Sequence, residues 1–60
     1  MTPGELEKAS IRLFGERGYS AALADFLGRE RTQVWRYLTG RVPIPDLVAR
    51  AVEAALRAKR

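Results

Sequence analysis

The segment RTQVWRY at residues 31–37 holds most of the side chains with which this chain can recognise a ligand. Arginine can donate two hydrogen bonds to guanine in the DNA major groove, and glutamine can pair in the same way with adenine. A threonine methyl can contact the methyl of thymine, and an indole ring can stack or cover apolar surface. These residue types in one short segment are typical of base readout. The candidate base-contacting residues are Arg31, Thr32, Gln33, Trp35 and Arg36.

The spacing of these residues predicts that most of them share one face of a helix. With Val34 taken as the inward direction, each following residue of a helix turns by about 100°. Tyr37 and Leu38 then also point inward, toward a core. The opposite face carries Thr32 and Arg36 at its centre, with Gln33 and Trp35 at its edges.

Trp35 is the residue of this segment whose role the sequence leaves open. Its ring can contact thymine methyl groups or sugar rings of a duplex. It can instead stack against the guanidinium of Arg31 or Arg36, or fold back over the edge of the core. Packing of this kind is the favoured interpretation, because an isolated exposed indole leaves a large apolar surface in water.

Positive charge is concentrated in the second half of the chain. The chain has 11 Lys and Arg against 7 Asp and Glu, a formal net charge of +4. Residues 1–27 have a net charge of −1, whereas residues 28–41 have +3 and residues 46–60 have +2. Such clustering is typical of a protein that binds a polyanion. The alternative is that the arginines only solvate a helix surface, and charge alone does not separate the two.

The composition argues against an enzyme, a metal site and a membrane protein. Without Cys or His, the chain has neither a disulfide framework nor the usual ligands of zinc and other transition metals. Its carboxylates form no obvious catalytic pair, and the core of a 60-residue chain is too small to shape a catalytic pocket. No apolar run approaches the roughly 20 residues of a membrane span, and MTPGELEKAS lacks a signal peptide's apolar stretch. We therefore expect a soluble cytoplasmic protein that uses no cofactor.

Apolar residues at helical spacing predict four helices and no strand, so we expect one all-α domain over residues 1–60. The first predicted helix covers about residues 2–17, with Pro3 in its first turn and Gly18 after its end. Its predicted inward residues are Leu6, Ala9, Ser10, Leu13 and Phe14.

The second predicted helix begins at Ser20, which can act as its N-cap, with Tyr19 ahead of it as a hydrophobic staple. Gly28 ends this helix, whose predicted inward face is Leu23, Ala24 and Leu27. The third predicted helix covers about residues 30–39 and is closed by Gly40. It carries the candidate base-contacting residues.

The fourth predicted helix follows an extended RVPIP segment, because proline disfavours helix in the residue before it. Pro45 suits the first turn of this helix, where its missing N–H costs nothing. The predicted apolar stripe is Leu47, Val48, Ala51, Val52 and Ala55.

The connection between the second and third helices is the most informative feature of this arrangement. Only about three residues separate them, so the helices cannot lie antiparallel as in a simple hairpin and should cross steeply. A steep crossing at short range needs a small residue at the contact, and Ala24 stands at the required place. Ala24, Gly28 and Val34 thus supply the small residue, the turn glycine and the β-branched core residue of a helix-turn-helix.

Across about residues 6–56, the chain resembles the helix-turn-helix family of phage repressor and Cro-like DNA-binding domains. The resemblance is carried by LADFLG at residues 23–28, VWRYLTGR at 34–41 and PIP at 43–45. The chain departs from the family pattern in the turn, at the start of the third helix and within that helix. The residues at those positions are Arg29, Glu30 and Trp35.

The resemblance implies a small four-helix domain of the lambda-repressor type whose third helix reads DNA. It also implies that Arg31, in the first turn of that helix, contacts a base. Ser20, Thr39 and Arg41 are implied phosphate contacts, and Ser20 also heads the N–H groups of a helix start. Arg29, in the turn, is a further candidate phosphate contact.

These observations predict a sequence-specific DNA-binding transcriptional regulator, and the resemblance implies a repressor of a bacterial or phage operon. Two alternatives stay open. One is a protein-interaction module, such as an antitoxin or adaptor, that uses the same fold. The other is an RNA-binding protein that uses the same basic surface.

We expect a homodimer, because one recognition helix reads only a few base pairs while two copies can read half-sites about 34 Å apart. The fourth helix offers Val52, Ala55 and Leu56 as an apolar surface for this contact. The alternative is that Leu56 packs onto Leu6 or Phe14 of the first helix.

Overall fold

Four α-helices joined by short connections make up residues 1–59, which are the residues that the computed structural model describes. They are α1 (Pro3–Phe14), α2 (Tyr19–Leu27), α3 (Arg31–Leu38) and α4 (Asp46–Ala58). The predicted all-α class with four helices is therefore confirmed. Arg60, the last residue of the predicted domain, lies outside the described residues.

A reciprocal cap begins α1. The Thr2 hydroxyl accepts a hydrogen bond from the Glu5 N–H at 3.1 Å, and the Thr2 N–H donates to the Glu5 carboxylate at 2.7 Å. The backbone and side-chain hydrogen bonds of Thr2 lower the pKa of the Glu5 carboxyl below its ordinary value. Because the pKa is lower in the folded state, the cap stabilises the fold at neutral pH and is lost as the pH falls through that lowered pKa.

α1 is shorter than the sequence predicts. It ends at Phe14 rather than near Arg17, because Gly15 adopts a φ of +90° and its N–H donates to the Ile11 carbonyl oxygen at 2.7 Å. Glycine reaches this backbone conformation without the steric penalty that a Cβ would bring. The helix therefore stops at Gly15, about one turn before Gly18.

The predicted start of α2 is also wrong in detail. Gly18 is the N-cap and Tyr19 is the first residue of the helix, so Ser20 is the second helical residue rather than the cap. The helix begins earlier because the Gly18 carbonyl oxygen already accepts the N–H of Ala22 at 3.0 Å. Ser20 is exposed and Tyr19 is half-buried.

One apolar cluster joins the four helices. α1 contacts α2, α3 and α4, and α2 also contacts α3. Each helix contributes one fully buried branched side chain: Leu6, Leu23, Val34 and Val52. The other buried members of the cluster are Ala9, Ala24, Tyr37 and Val48.

Side-chain hydrogen bonds to the backbone of α1 support this packing. Ser10, predicted to face the core, is fully buried, and its hydroxyl donates to the Leu6 carbonyl oxygen at 2.7 Å. The buried hydroxyl is therefore satisfied. The Lys59 ammonium donates to the carbonyl oxygens of Arg12 and Leu13, which have no partner within the helix at its C-terminal end. These bonds tie the chain beyond α4 to the end of α1.

The buried face of α4 differs from the one predicted. Pro45 is the N-cap of α4 rather than a residue of its first turn. Val48, Ala49 and Val52 are buried, whereas Leu47, predicted to lie in the apolar stripe, is 76% exposed. The contact face is centred on the two valines, and one step along a helix turns the side chain by about 100°, which carries Leu47 out of the contact.

The connection between α2 and α3 has the predicted length of three residues. The Gly28 N–H donates to the Asp25 carbonyl oxygen at 3.2 Å, and the Arg29 N–H donates to that of Ala24 at 3.0 Å. This pair of hydrogen bonds is the Schellman motif, which ends a helix and redirects the chain at once. Ala24 is 3% exposed and belongs to the same core cluster as Val34 of α3.

We predict that Ala24→Leu destabilises the fold by about 1–3 kcal/mol, because the larger side chain overpacks the contact between α2 and α3. For a domain of this size, each kcal/mol lowers the thermal midpoint by about 4–8 °C, which circular dichroism measures. Ala54→Leu makes the same change at an exposed position of α4 and should leave the midpoint nearly unchanged. Equal midpoints for the two variants would show that Ala24 does not lie at a tight helix contact.

Candidate nucleic-acid interface

α3 has one buried and one exposed face, as the sequence predicts. Val34 and Tyr37 are buried, and Leu38 is half-buried against the core cluster. The candidate base-contacting residues all lie away from that cluster. Arg31, Thr32, Trp35 and Arg36 are exposed, and Gln33 is half-buried.

Gln33 and Arg36 interact along the exposed face. The Arg36 guanidinium donates through Nη1 to Oε1 of Gln33 at 3.4 Å. A hydrogen bond of this length is weak, so it orients the two side chains but leaves both free to bind a ligand. The Gln33 amide group and the other guanidinium N–H groups of Arg36 keep their donors for a ligand.

A tight turn at Gly40 brings the chain back over the end of α3. The Gly40 N–H donates to the Tyr37 carbonyl oxygen at 3.3 Å, and the Arg41 N–H donates to that of Arg36 at 2.9 Å. Gly40 adopts a φ of +76°, a conformation that side chains other than glycine rarely take. The turn therefore places Arg41 beside the last turn of α3.

Arg41 packs on Trp35. Its guanidinium carbon Cζ lies 5.1 Å from the centre of the indole, within the range of a cation–π interaction, and Trp35 remains 49% exposed. Among the possibilities that the sequence leaves open is stacking of Trp35 under Arg31 or Arg36, whereas the arginine over the ring in the structure is Arg41. The path of the chain after Gly40, rather than helical spacing, selects the arginine. A glycine followed by arginine at a helix end is the sequence signal that could have indicated it.

Three of the predicted phosphate contacts, Ser20, Arg29 and Arg41, are exposed. Ser20 is exposed at the start of α2, and no side chain of the described residues caps that helix start. Arg29 is exposed in the turn between α2 and α3, and Arg41 is exposed after α3. The geometry leaves all three residues available.

Thr39 is placed differently from the other phosphate candidates. Its hydroxyl donates to the Trp35 carbonyl oxygen at 2.8 Å, and its backbone N–H donates to the same oxygen at 2.9 Å. A threonine hydroxyl has one proton to donate. In this conformation Thr39 ties up the end of α3, and a phosphate contact would require its hydroxyl to rotate.

The surface around α3 is predominantly positive. Arg29, Arg31, Arg36 and Arg41 are all exposed, and Glu30 is the only acidic residue of segment 28–41. Within residues 1–59, the ion pair at salt-bridge distance is Asp46–Arg50 on α4, at 2.7 Å. The charges of the four arginines around α3 are therefore not neutralised by a carboxylate of the described chain.

Across residues 1–59, no group of three or more His, Cys, Asp or Glu side chains lies close enough together to hold a metal ion. No helix in that part of the chain has the length and apolar character needed to cross a membrane.

An exposed groove between α2 and α4 was not predicted from the sequence. Phe26 is 46% exposed, and its ring centre lies 6.0 Å from that of Phe14. Phe26 and Leu47 line an open groove of about 200 Å³, together with Leu27, Val48, Ala51 and the charged Arg29. The sequence did indicate the exposure of Phe26, because this residue falls outside the predicted inward face of its helix.

The apolar surface predicted for dimerisation on α4 is used in part within the chain, and Ala55 and Leu56 stay half-buried. Val52 is fully buried, and Leu56 packs against the core cluster, as does Phe14. The alternative that the sequence left open places Leu56 on Leu6 or Phe14 of α1, and Leu56 is half-buried against the core cluster to which Leu6 belongs.

Comparisons with known proteins identify no family for this chain. No family model matches the chain, and neither the curated proteins nor the solved structures include a match. Function is therefore inferred from the geometry and charge of α3 and of the turns beside it.

We predict that Gly40→Ala destabilises the fold by about 1–2 kcal/mol, because a Cβ strains the left-handed backbone that the turn requires. The added methyl also meets Cγ of Pro3 at 3.4 Å. Gly4→Ala is the control: no heavy atom lies within 4 Å of its Cβ, and alanine favours helix, so stability should stay equal or rise. Thermal melts of both variants test this, and a Gly40→Ala protein as stable as the parent would contradict the role of the turn.

Proposed function

We propose that this chain binds duplex DNA through the exposed face of α3 and regulates transcription. The observation that carries the proposal is the group of four exposed arginines, unpaired with carboxylates of residues 1–59, around a helix face with threonine and glutamine. Phosphates attract such a surface, and release of their counterions drives binding. The polar groups on the helix then supply sequence preference.

The dimensions of α3 suit the major groove. An α-helix with its side chains is about 10–12 Å across, close to the roughly 12 Å width of the groove. Arg36 and Thr32 stand at the centre of the exposed face, and Gln33 and Arg31 lie beside them. Arg29 and Arg41 lie in the turns that frame it, where phosphate contacts would set the orientation of the helix, and Ser20 at the start of α2 is a further candidate.

The resemblance to phage repressor and Cro-like domains supports the regulatory part of the proposal. Proteins of that kind act by occupying an operator, so we propose repression of a bacterial or phage operon. Such a regulator works in the cytoplasm, where its duplex target lies.

We propose that two copies bind together on an inverted repeat. One helix reads too few base pairs for a selective site, whereas neighbouring half-sites lie about 34 Å apart. The Cα atoms of the chain span 31 Å along their longest axis, so copies bound at this spacing can meet at their edges. Phe26 and Leu47 are exposed apolar side chains that a second copy can cover.

Selection of bound duplexes from a random pool is the direct test of the proposal. An enriched inverted repeat that survives competition by tRNA and heparin would support sequence-specific DNA binding. Preference for tRNA would support RNA binding instead. No binding to either nucleic acid would favour the protein-interaction module, for which the groove beside Phe26 and Leu47 is the specific observation.

Arg36→Ala and Arg41→Ala should weaken DNA binding in different ways. Loss of a base contact at Arg36 should cost about 1–3 kcal/mol on the preferred site and relax its sequence preference. Loss of a phosphate contact at Arg41 should weaken all duplexes alike and reduce the salt slope by about 1. Fluorescence anisotropy titrations at several salt concentrations measure both effects.

Arg57→Ala is the matched control, because it removes the same charge from the exposed end of α4. It should change neither sequence preference nor salt slope by as much as the two α3-side variants. Identical losses and unchanged preference for Arg36→Ala and Arg41→Ala would contradict the division between base readout and phosphate contact.

Leu47→Glu should reduce cooperative loading of two chains on the selected repeat, because it places a charge in the apolar contact proposed between copies. Its exposure means that the fold itself should tolerate the change. Ala54→Glu adds the same charge at another exposed position of α4 and should leave cooperativity unchanged. Native mass spectrometry gives the stoichiometry, and one parent chain per selected site would refute the dimer.

A further inference from the structure

Trp35 stands on the proposed DNA-binding face without a role in the core. About half of its surface is exposed, although its neighbours Val34 and Tyr37 are buried. Exposure of a large indole to water is unfavourable unless another group packs against the ring. In this structure that group is the guanidinium of Arg41, whose Cζ lies 5.1 Å from the ring centre.

The backbone around this pair is held at several points. The Thr39 hydroxyl donates to the Trp35 carbonyl oxygen at 2.8 Å, and the Arg41 N–H donates to the Arg36 carbonyl oxygen at 2.9 Å. With Gly40 in its left-handed conformation, these bonds define where the Arg41 side chain begins. Packing on the indole then restricts the position of the guanidinium at the end of that side chain.

We propose that Trp35 is a positioning residue that holds the Arg41 guanidinium ready for a DNA phosphate. The inference rests on the proposed DNA binding and assigns Trp35 an indirect part in it. Arginine is long and flexible, and a side chain ordered before binding loses less conformational freedom when it meets its ligand. A guanidinium on an aromatic face keeps N–H groups at its edge for a phosphate oxygen.

This role differs from direct base readout by Trp35. A ring that touches thymine methyl groups or sugars would discriminate between duplexes and would act without Arg41. A ring that only positions Arg41 would act on every duplex alike, since phosphates carry no sequence information. It would have no effect once Arg41 is absent.

A double-mutant cycle separates these two roles. Dissociation constants are measured for the parent, Trp35→Ala, Arg41→Ala and the double variant, on the selected duplex and on an unrelated one. Trp35→Phe tests whether a smaller aromatic face restores binding. Circular dichroism melts establish that each variant is folded, and NMR without DNA reports the stack, because protons above an indole ring shift upfield.

We expect Trp35→Ala to weaken both duplexes by about two- to fivefold, the factor that corresponds to a typical exposed cation–π contact. In the Arg41→Ala background the same substitution should cause no further loss. Trp35→Phe should keep most of the affinity. The Arg41 side-chain protons of the parent should be shifted upfield, and Trp35→Ala should abolish that shift.

Any of four results overturns the inference while the parent still binds DNA. They are an undiminished effect of Trp35→Ala without Arg41, a loss confined to one duplex, Arg41 protons without an upfield shift, and a Trp35→Phe variant as weak as Trp35→Ala. A parent chain that binds no duplex refutes the proposed function itself, and the inference with it. The two failures are therefore distinguishable.

Discussion

The short turn between α2 and α3 is the constraint on which the candidate interface depends. Three residues join the helices, so α3 must turn away from α2 at once while both keep contact with the same core. Burial of Val34 and Tyr37 commits one face of α3 to that core. A helix of eight residues with one face buried has only its opposite face left for a ligand, and that face carries Arg36 and Thr32.

The turns that end α2 and α3 both terminate a helix and place a positive charge beside its end. Each has a glycine followed by an arginine, Gly28–Arg29 and Gly40–Arg41, and each closes with the same pair of backbone hydrogen bonds. A positive side chain close to a helix C-terminus interacts favourably with the partial negative charge there. The residues that help to end the helices are thus the ones that frame the basic surface.

The small size of the chain explains why apolar surface remains outside the core. A chain of 60 residues buries only about 60% of the surface that its unfolded state exposes. α4 uses Val48, Val52 and Leu56 to cover α1, which leaves Leu47 and Phe26 in contact with water. A second copy or another protein can cover these side chains, whereas the fold alone does not.

Local geometry allowed the sequence by itself to determine the four helices and the outward position of Arg36, because periodicity, glycine and proline act within a few residues. Periodicity also indicates which residues share a face, but it does not say which way that face turns. Leu47 and Val48 are both apolar, and only the position of α1 selects Val48 for burial. Likewise, the path of the chain beyond α3, rather than the spacing along the helix, brings Arg41 to Trp35.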